Sequence, residues 1–93
     1  FMIEHDAITA DQIESSMLKL AHERGHAKSF CPSEVARTIA GDHPDHWGPL
    51  MQPVRRTAVM LAQAGRLLIL RKGKPVDPLD FKGVYRLSLP RED

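Results

Sequence analysis

One cysteine, Cys31, stands in a chain of 93 residues, so no internal disulfide can form, which agrees with a reducing compartment. No apolar run approaches the roughly 18 residues of a membrane-spanning helix, and no signal-peptide pattern opens the chain. A cytoplasmic location with no membrane partner is therefore expected. There is no internal repeat and no low-complexity segment. Nor does any constellation announce a reaction. Cys31 has no identifiable base or oxyanion donors near it in sequence, and a small buried or capping residue is the better account of it. His43 and His46, flanked by Asp42 and Asp45, fall short of the roughly four converging ligands of a structural metal site or three plus water of a catalytic one. Pro44 keeps that pair off one regular helix face, and a polar loop explains the stretch. No cofactor, no metal and no enzymatic activity are expected.

What is present is an ordinary globular composition, 42% hydrophobic and 27% charged. The length suits one domain over residues 1–93, with one modest core within about 8–89. The net charge of +1 hides a polarity. Residues 1–48 hold eight acids against four bases, a balance of −4, and residues 49–93 hold nine bases against four acids, a balance of +5. An anionic partner for the second half follows from that split, although two oppositely charged halves also attract each other.

The first helix signature is Ile8-Thr9-Ala10-Asp11-Gln12-Ile13: Thr9 caps, Gln12 reaches back, and Ile8 staples onto Ile13. A helix from about Ala10 then carries Ile13, Met17, Leu20 and Ala21 on one stripe and stops at Gly25. Lys28-Ser29-Phe30 makes a strand stub with Phe30 inward. Pro32 fits the first position of a second helix, with Cys31 flanking it, Glu34 in the first turn and Gly41 at the end.

A third helix opens near Trp47. At about 100° per residue, Trp47, Leu50, Val54, Thr57, Ala58 and Leu61 face a core, while Gln52, Arg56, Val59 and Gln63 form the opposite stripe. Pro49 and Pro53 resist a regular start, so either the first turn is bent or regular helix begins near Pro53. Gly65 ends it. Arg66–Arg71 reads as a strand, and in Val84–Leu89 the alternation of Tyr85, Leu87 and Leu89 with polar neighbours reads as a second, separated from the first by a long basic loop. The fold class is α+β, a winged helix: a three-helix bundle with a small antiparallel ribbon as its wing, in the order α-β-α-α-β-β.

The residues also resemble a known family. Cys31-Pro32-Ser33-Glu34-Val35-Ala36-Arg37, Trp47 with Leu50-Met51 and Val54-Arg55, Ala58, Leu61, Gly65, and Gly73 with Val76-Asp77-Pro78 and Gly83 before Arg86 are similar to the bacterial family DUF3253. The similarity spans about residues 10–88. It implies the winged-helix superfamily for the fold and carries no activity with it. Gly48-Pro49 departs from the family pattern after the tryptophan.

Two sets of side chains are candidates for function. Ser33, Glu34, Arg37, Arg55, Asp77 and Arg86 fall at motif positions of that resemblance and would either line a pocket for a small anion or form an ion-pair network. The network is favoured: Glu34 and Arg37 are three apart on one helix, and Asp77 before Pro78 serves a turn. The second set is the outward stripe. Gln52, Arg56 and Gln63 are side chains that read base edges in a major groove, and Arg71, Lys72, Lys74 and Lys82 on the wing would meet phosphates. DNA or RNA is the expected partner. A protein partner lying on Val59, Met60 and the wing is the alternative.

Overall fold

In the computed structural model, which describes residues 8–90, the first helix begins at the expected capping box. Thr9 Oγ1 accepts from the Gln12 N–H at 3.1 Å, and Gln12 Oε1 accepts from the Thr9 N–H at 2.9 Å. With both donors satisfied, helix α1 runs over Ala10–Arg24 and buries Ile13, Met17 and Ala21. Helix α2, Pro32–Ala40, has Pro32 in its first turn and buries Val35 and Ala36. Glu34 Oε2 accepts from the Cys31 N–H at 3.0 Å, so the carboxylate closes the helix start that the cysteine only flanks.

The helix expected from Trp47 is broken into three pieces. Helix α3 is one turn, Pro44–Trp47, a 3-10 turn covers Gly48–Leu50, and helix α4 runs over Met51–Gln63. The prolines explain the breaks. Pro44 starts a helical turn because its fixed φ suits a first position, with His43 Nδ1 accepting from the Asp45 N–H at 3.1 Å; the expected polar loop is thus a helical turn. Pro53 is the third residue of α4, where an N–H has no partner within the helix, so its missing donor costs nothing. One consequence corrects the sequence reading: Trp47 and Leu50 lie off the α4 register and are half-buried, packed on the edge of the core. The Trp47 indole N–H instead donates to the Asp42 carbonyl at 3.2 Å. The rest of the inward face stands as expected, with Val54, Thr57, Ala58 and Leu61 buried.

After α4 the Arg66 N–H reaches back to the Leu61 carbonyl at 2.9 Å and the Gly65 N–H to Ala62 at 3.1 Å, the paired bonds of a glycine stop. The sheet that follows is antiparallel, ordered β2-β1-β3, with β1 Leu68–Arg71, β2 Lys74–Pro75 and β3 Arg86–Ser88. Ile69 pairs with Leu87, and Phe30 pairs with Leu87 from the other side through two hydrogen bonds of 2.8 Å. Successive residues of a strand alternate faces, so Ile69, Leu87 and Phe30 point together into the helices and are fully buried. The result is α+β, with the helices on one face of a three-stranded antiparallel sheet, an arrangement consistent with a winged helix.

The long basic loop is not one projecting loop. Lys72 and Gly73 have φ of 52° and 81°, the two positive values that a tight type I′ hairpin turn requires, and β2 returns at once beside β1. Pro75 sits on the outer edge of the sheet, where no ladder N–H is needed. Residues 76–85 then fold back toward the helices, burying Phe81 and Tyr85 in an edge-to-face pair with centroids 5.2 Å apart. The segment reads as loop because these two aromatics are isolated in sequence, and their shared contact with Arg55 of α4 holds them in place.

Candidate nucleic-acid interface

The outward stripe of α4 is where the periodicity puts it. Gln52, Arg56 and Gln63 are exposed, and Val59 is half-buried against the core edge. Because the core takes Val54, Thr57, Ala58 and Leu61, the residues about 180° away must face outward. Met60 flanks the stripe and is 48% exposed. At this row the donors and acceptors of two glutamines and an arginine are presented side by side.

The basic residues of the wing separate into two kinds. Lys72, Lys74 and Lys82 are exposed. Lys72 and Lys74 project from the hairpin, whereas Lys82 comes from the returning segment. Arg71 differs: it is half-buried, and its guanidinium lies over the Gly83 backbone, so close that a Cβ at Gly83 would come within 2.5 Å of Arg71 Nη1. Gly83 is therefore a close-approach glycine, and the half-exposed Arg71 guanidinium lies over it within the wing.

The contact that brings Lys82 to the helix was read differently in sequence. Arg55 Nη2 donates to the Phe81 carbonyl at 2.9 Å, and the guanidinium carbon sits 4.0 Å from the Phe81 ring centroid and 5.6 Å from that of Tyr85. Arg55 thus clamps the returning segment onto α4 by a charged hydrogen bond and a cation–π stack. Lys82, the next residue, is held beside the helix that carries Arg56. Nothing in the sequence marks Arg55 and Phe81 as partners 26 residues apart; the only signal is that Arg55 lies on the flank between the apolar and polar stripes of α4.

The other candidate set converges only in part, at the α1–α2 contact, where Glu34 and Arg37 line one cavity. Glu34 pairs with Arg24 and not with Arg37, because Arg24 at the end of α1 is directed across the α1–α2 contact. Those hydrogen bonds from Arg24, followed by the one from the Cys31 N–H, hold the Glu34 carboxyl below the usual glutamate range against the opposing effect of partial burial. Arg37 lies 3.6 Å from Asp42. Arg86 donates to Ser29 Oγ at 2.7 Å and to the Ser29 carbonyl at 3.0 Å, tying β3 to the strand stub. Asp77 Oδ1 accepts from the Leu79 N–H at 2.9 Å, the expected turn. Ser33 Oγ meets Cys31 Sγ at 3.0 Å. The expected Glu34–Arg37 pair is replaced by Glu34–Arg24 and Arg37–Asp42, these four side chains line one small cavity, and Arg55, Asp77 and Arg86 brace other junctions.

His43 and His46, at the cap and within the turn of α3, have ring centroids 5.1 Å apart, and among the described residues no group of three His, Cys, Asp or Glu side chains is placed to hold a metal ion. No helix of the described residues is long and apolar enough to cross a membrane. A family model described as "Protein of unknown function (DUF3253)" matches residues 10–90. No curated protein matches the chain.

Proposed function

Given that the chain belongs to the DUF3253 family of proteins of unknown function, we propose that it is a non-enzymatic module that binds nucleic acid, with α4 entering the major groove of a duplex and the wing lysines on the flanking phosphates. The observation that carries the reading is the exposed row Gln52, Arg56 and Gln63 on α4, beside which Arg55 holds Lys82. A helix of this diameter fits a major groove, and glutamine and arginine pair with adenine and guanine edges there. The +5 balance of residues 49–93 supplies the sequence-independent attraction. A protein partner is the second reading, favoured by Met60 next to the row.

The two kinds of basic residue separate these readings. Arg56→Ala costs about 1 to 3 kcal/mol on a preferred site and little on random duplex, whereas Lys74→Ala weakens all sequences alike and lowers the slope of log affinity against log salt by about one. Titration of duplex at two salt concentrations is the measurement. Absence of salt-sensitive binding to duplex and to single strands refutes the nucleic-acid reading and leaves the protein-interaction surface.

A further inference from the structure

The outer face of the sheet, turned away from the helices, carries a cleft that the core does not account for. Ile69 points into the helices and is buried, so its neighbours Leu68 and Leu70 stand on the opposite face, half-buried yet outside the set of side chains packed on the core. With Leu89 and Pro75 they line a cleft of about 240 Å³, bordered by His26 and Ser29 from the turn that follows α1. His26 Nδ1 lies 2.8 Å from the Pro90 carbonyl, which ties that turn to the end of β3. The polar side of the cleft suits a negative charge. Arg86 pairs with Leu70 across β1 and β3 and so shares this face. Its Nε donates to Ser29 Oγ at 2.7 Å and its Nη2 to the Ser29 carbonyl at 3.0 Å, which leaves the Nη1 donors open among the described residues. Because Ser29 Oγ accepts from Arg86, its own O–H remains to donate. Glu34 is near enough to feel the charge of Arg86, but its carboxylate is taken by Arg24 and the Cys31 N–H. Segments 26–30, 68–75 and 86–90, which supply the lining, hold Lys28, Arg71, Lys72, Lys74 and Arg86 and no acid.

We infer that this cleft binds a small monocarboxylic acid with an apolar body, the body lying on Leu68, Leu70 and Leu89 and the carboxylate accepting from the Ser29 O–H and Arg86 Nη1. The site lies across the sheet from α4, so the inference stands apart from the nucleic-acid reading. Apolar lining supplies affinity and a few fixed polar groups at one end supply orientation, the division of labour found in small-molecule sites. Such sites run from about 300 to 1,000 Å³; this cleft lies just below that range, so an acid of about ten non-hydrogen atoms suits it and a nucleotide is too large. A neutral alcohol of the same length leaves the guanidinium without a charged acceptor, and inorganic phosphate leaves the leucines in water. The two bonds to Ser29 already fix the Arg86 guanidinium, so little side-chain freedom remains to be lost when an acid binds.

The test titrates octanoate and hydrocinnamate into isotope-labelled protein and follows the backbone amides by NMR. Binding with a Kd on the order of 1 mM is expected, with shifts concentrated at Ser29, Leu70, Gly73 and Ser88 and none along α4. Octanol is expected to bind about tenfold more weakly than octanoate. Ser29→Ala is expected to weaken octanoate about fivefold and octanol not at all, whereas Leu70→Thr, which keeps a good strand former, weakens both about tenfold. Arg86→Gln is expected to abolish the preference for the acid; should that variant not fold, the acid-to-alcohol ratio in wild type and in Ser29→Ala decides the matter. Equal affinity of wild type for octanoate and octanol, shifts spread over the whole surface, or no binding of either acid at about 10 mM overturns the inference. Wild-type affinity for octanoate in both Ser29→Ala and Leu70→Thr places the acid elsewhere and overturns it too. If a peptide ending in an apolar residue perturbs the same amides and binds about tenfold more tightly than octanoate, the cleft holds a protein terminus, and the free acid is not its occupant.

Discussion

Replacing Arg55 by alanine tests the central joint of this structure. Its guanidinium makes one charge-assisted hydrogen bond, to the Phe81 carbonyl at 2.9 Å, and stacks on Phe81 at 4.0 Å. A hydrogen bond to a charged group contributes about 1.5 to 3 kcal/mol, and a cation–π contact about 0.5 to 2 kcal/mol. Arg55 is half-buried, so the lower parts of both ranges apply, and Arg55→Ala should cost about 2 to 3 kcal/mol. Against a total stability of about 5 to 15 kcal/mol the protein still folds, with its melting temperature lowered by roughly 10 to 20 °C. Urea denaturation measures the loss, and a smaller m-value in the variant reports that residues 76–85 have already left the helix before global unfolding. A double-mutant cycle with Phe81→Leu isolates the stack, with a coupling energy of about 0.5 to 1.5 kcal/mol. If Arg55→Ala unfolds at the same urea concentration as wild type, the clamp holds nothing, and Lys82 has no fixed place beside α4.

Glu34→Gln should destabilise by about 1 to 2 kcal/mol at pH 7, through the weakened helix cap and the partly exposed pair with Arg24. Because the folded-state pKa of Glu34 is lowered, this stabilisation is fully present above the unfolded value of about 4.3 and is lost as pH falls through the folded value; denaturation at pH 7 and pH 3 should show the gap between wild type and variant closing in acid. Gly83→Ala should cost about 1 to 2 kcal/mol through its φ of 86°, and adding Arg71→Ala, which removes the overlapping guanidinium, should recover none of that backbone share in a melting experiment. Lys72→Asn should stabilise the hairpin by about 0.5 to 1 kcal/mol, since asparagine tolerates the left-handed region better than lysine. A lower melting temperature in that variant would show that the turn is not held at positive φ.

The elements whose cause is local were legible in the chain. Thr9 and Gln12 lie three residues apart, so the cap of α1 is written within one turn, and the apolar stripe of α4 repeats every three or four residues whatever it packs against. The inward alternation of Tyr85, Leu87 and Leu89 followed from the same short-range periodicity, whereas the Phe30 stub was legible only from its place between the first two helices of a winged-helix order, its partner Leu87 lying far along the chain. The candidate row Gln52, Arg56 and Gln63 was legible for this reason too, as the complement of the buried face. What the tertiary structure alone decided involves partners distant in the chain. Arg24 takes Glu34 because helices α1 and α2 cross there, although Arg37 is nearer in sequence. Phe81 is buried because Arg55, 26 residues earlier, covers it, and that contact turns a basic loop into a pinned segment with Leu79 and Val84 outside. Periodicity reports which face of an element is apolar; it carries no information about which side chain from another element arrives there, because that depends on the summed packing of the whole core.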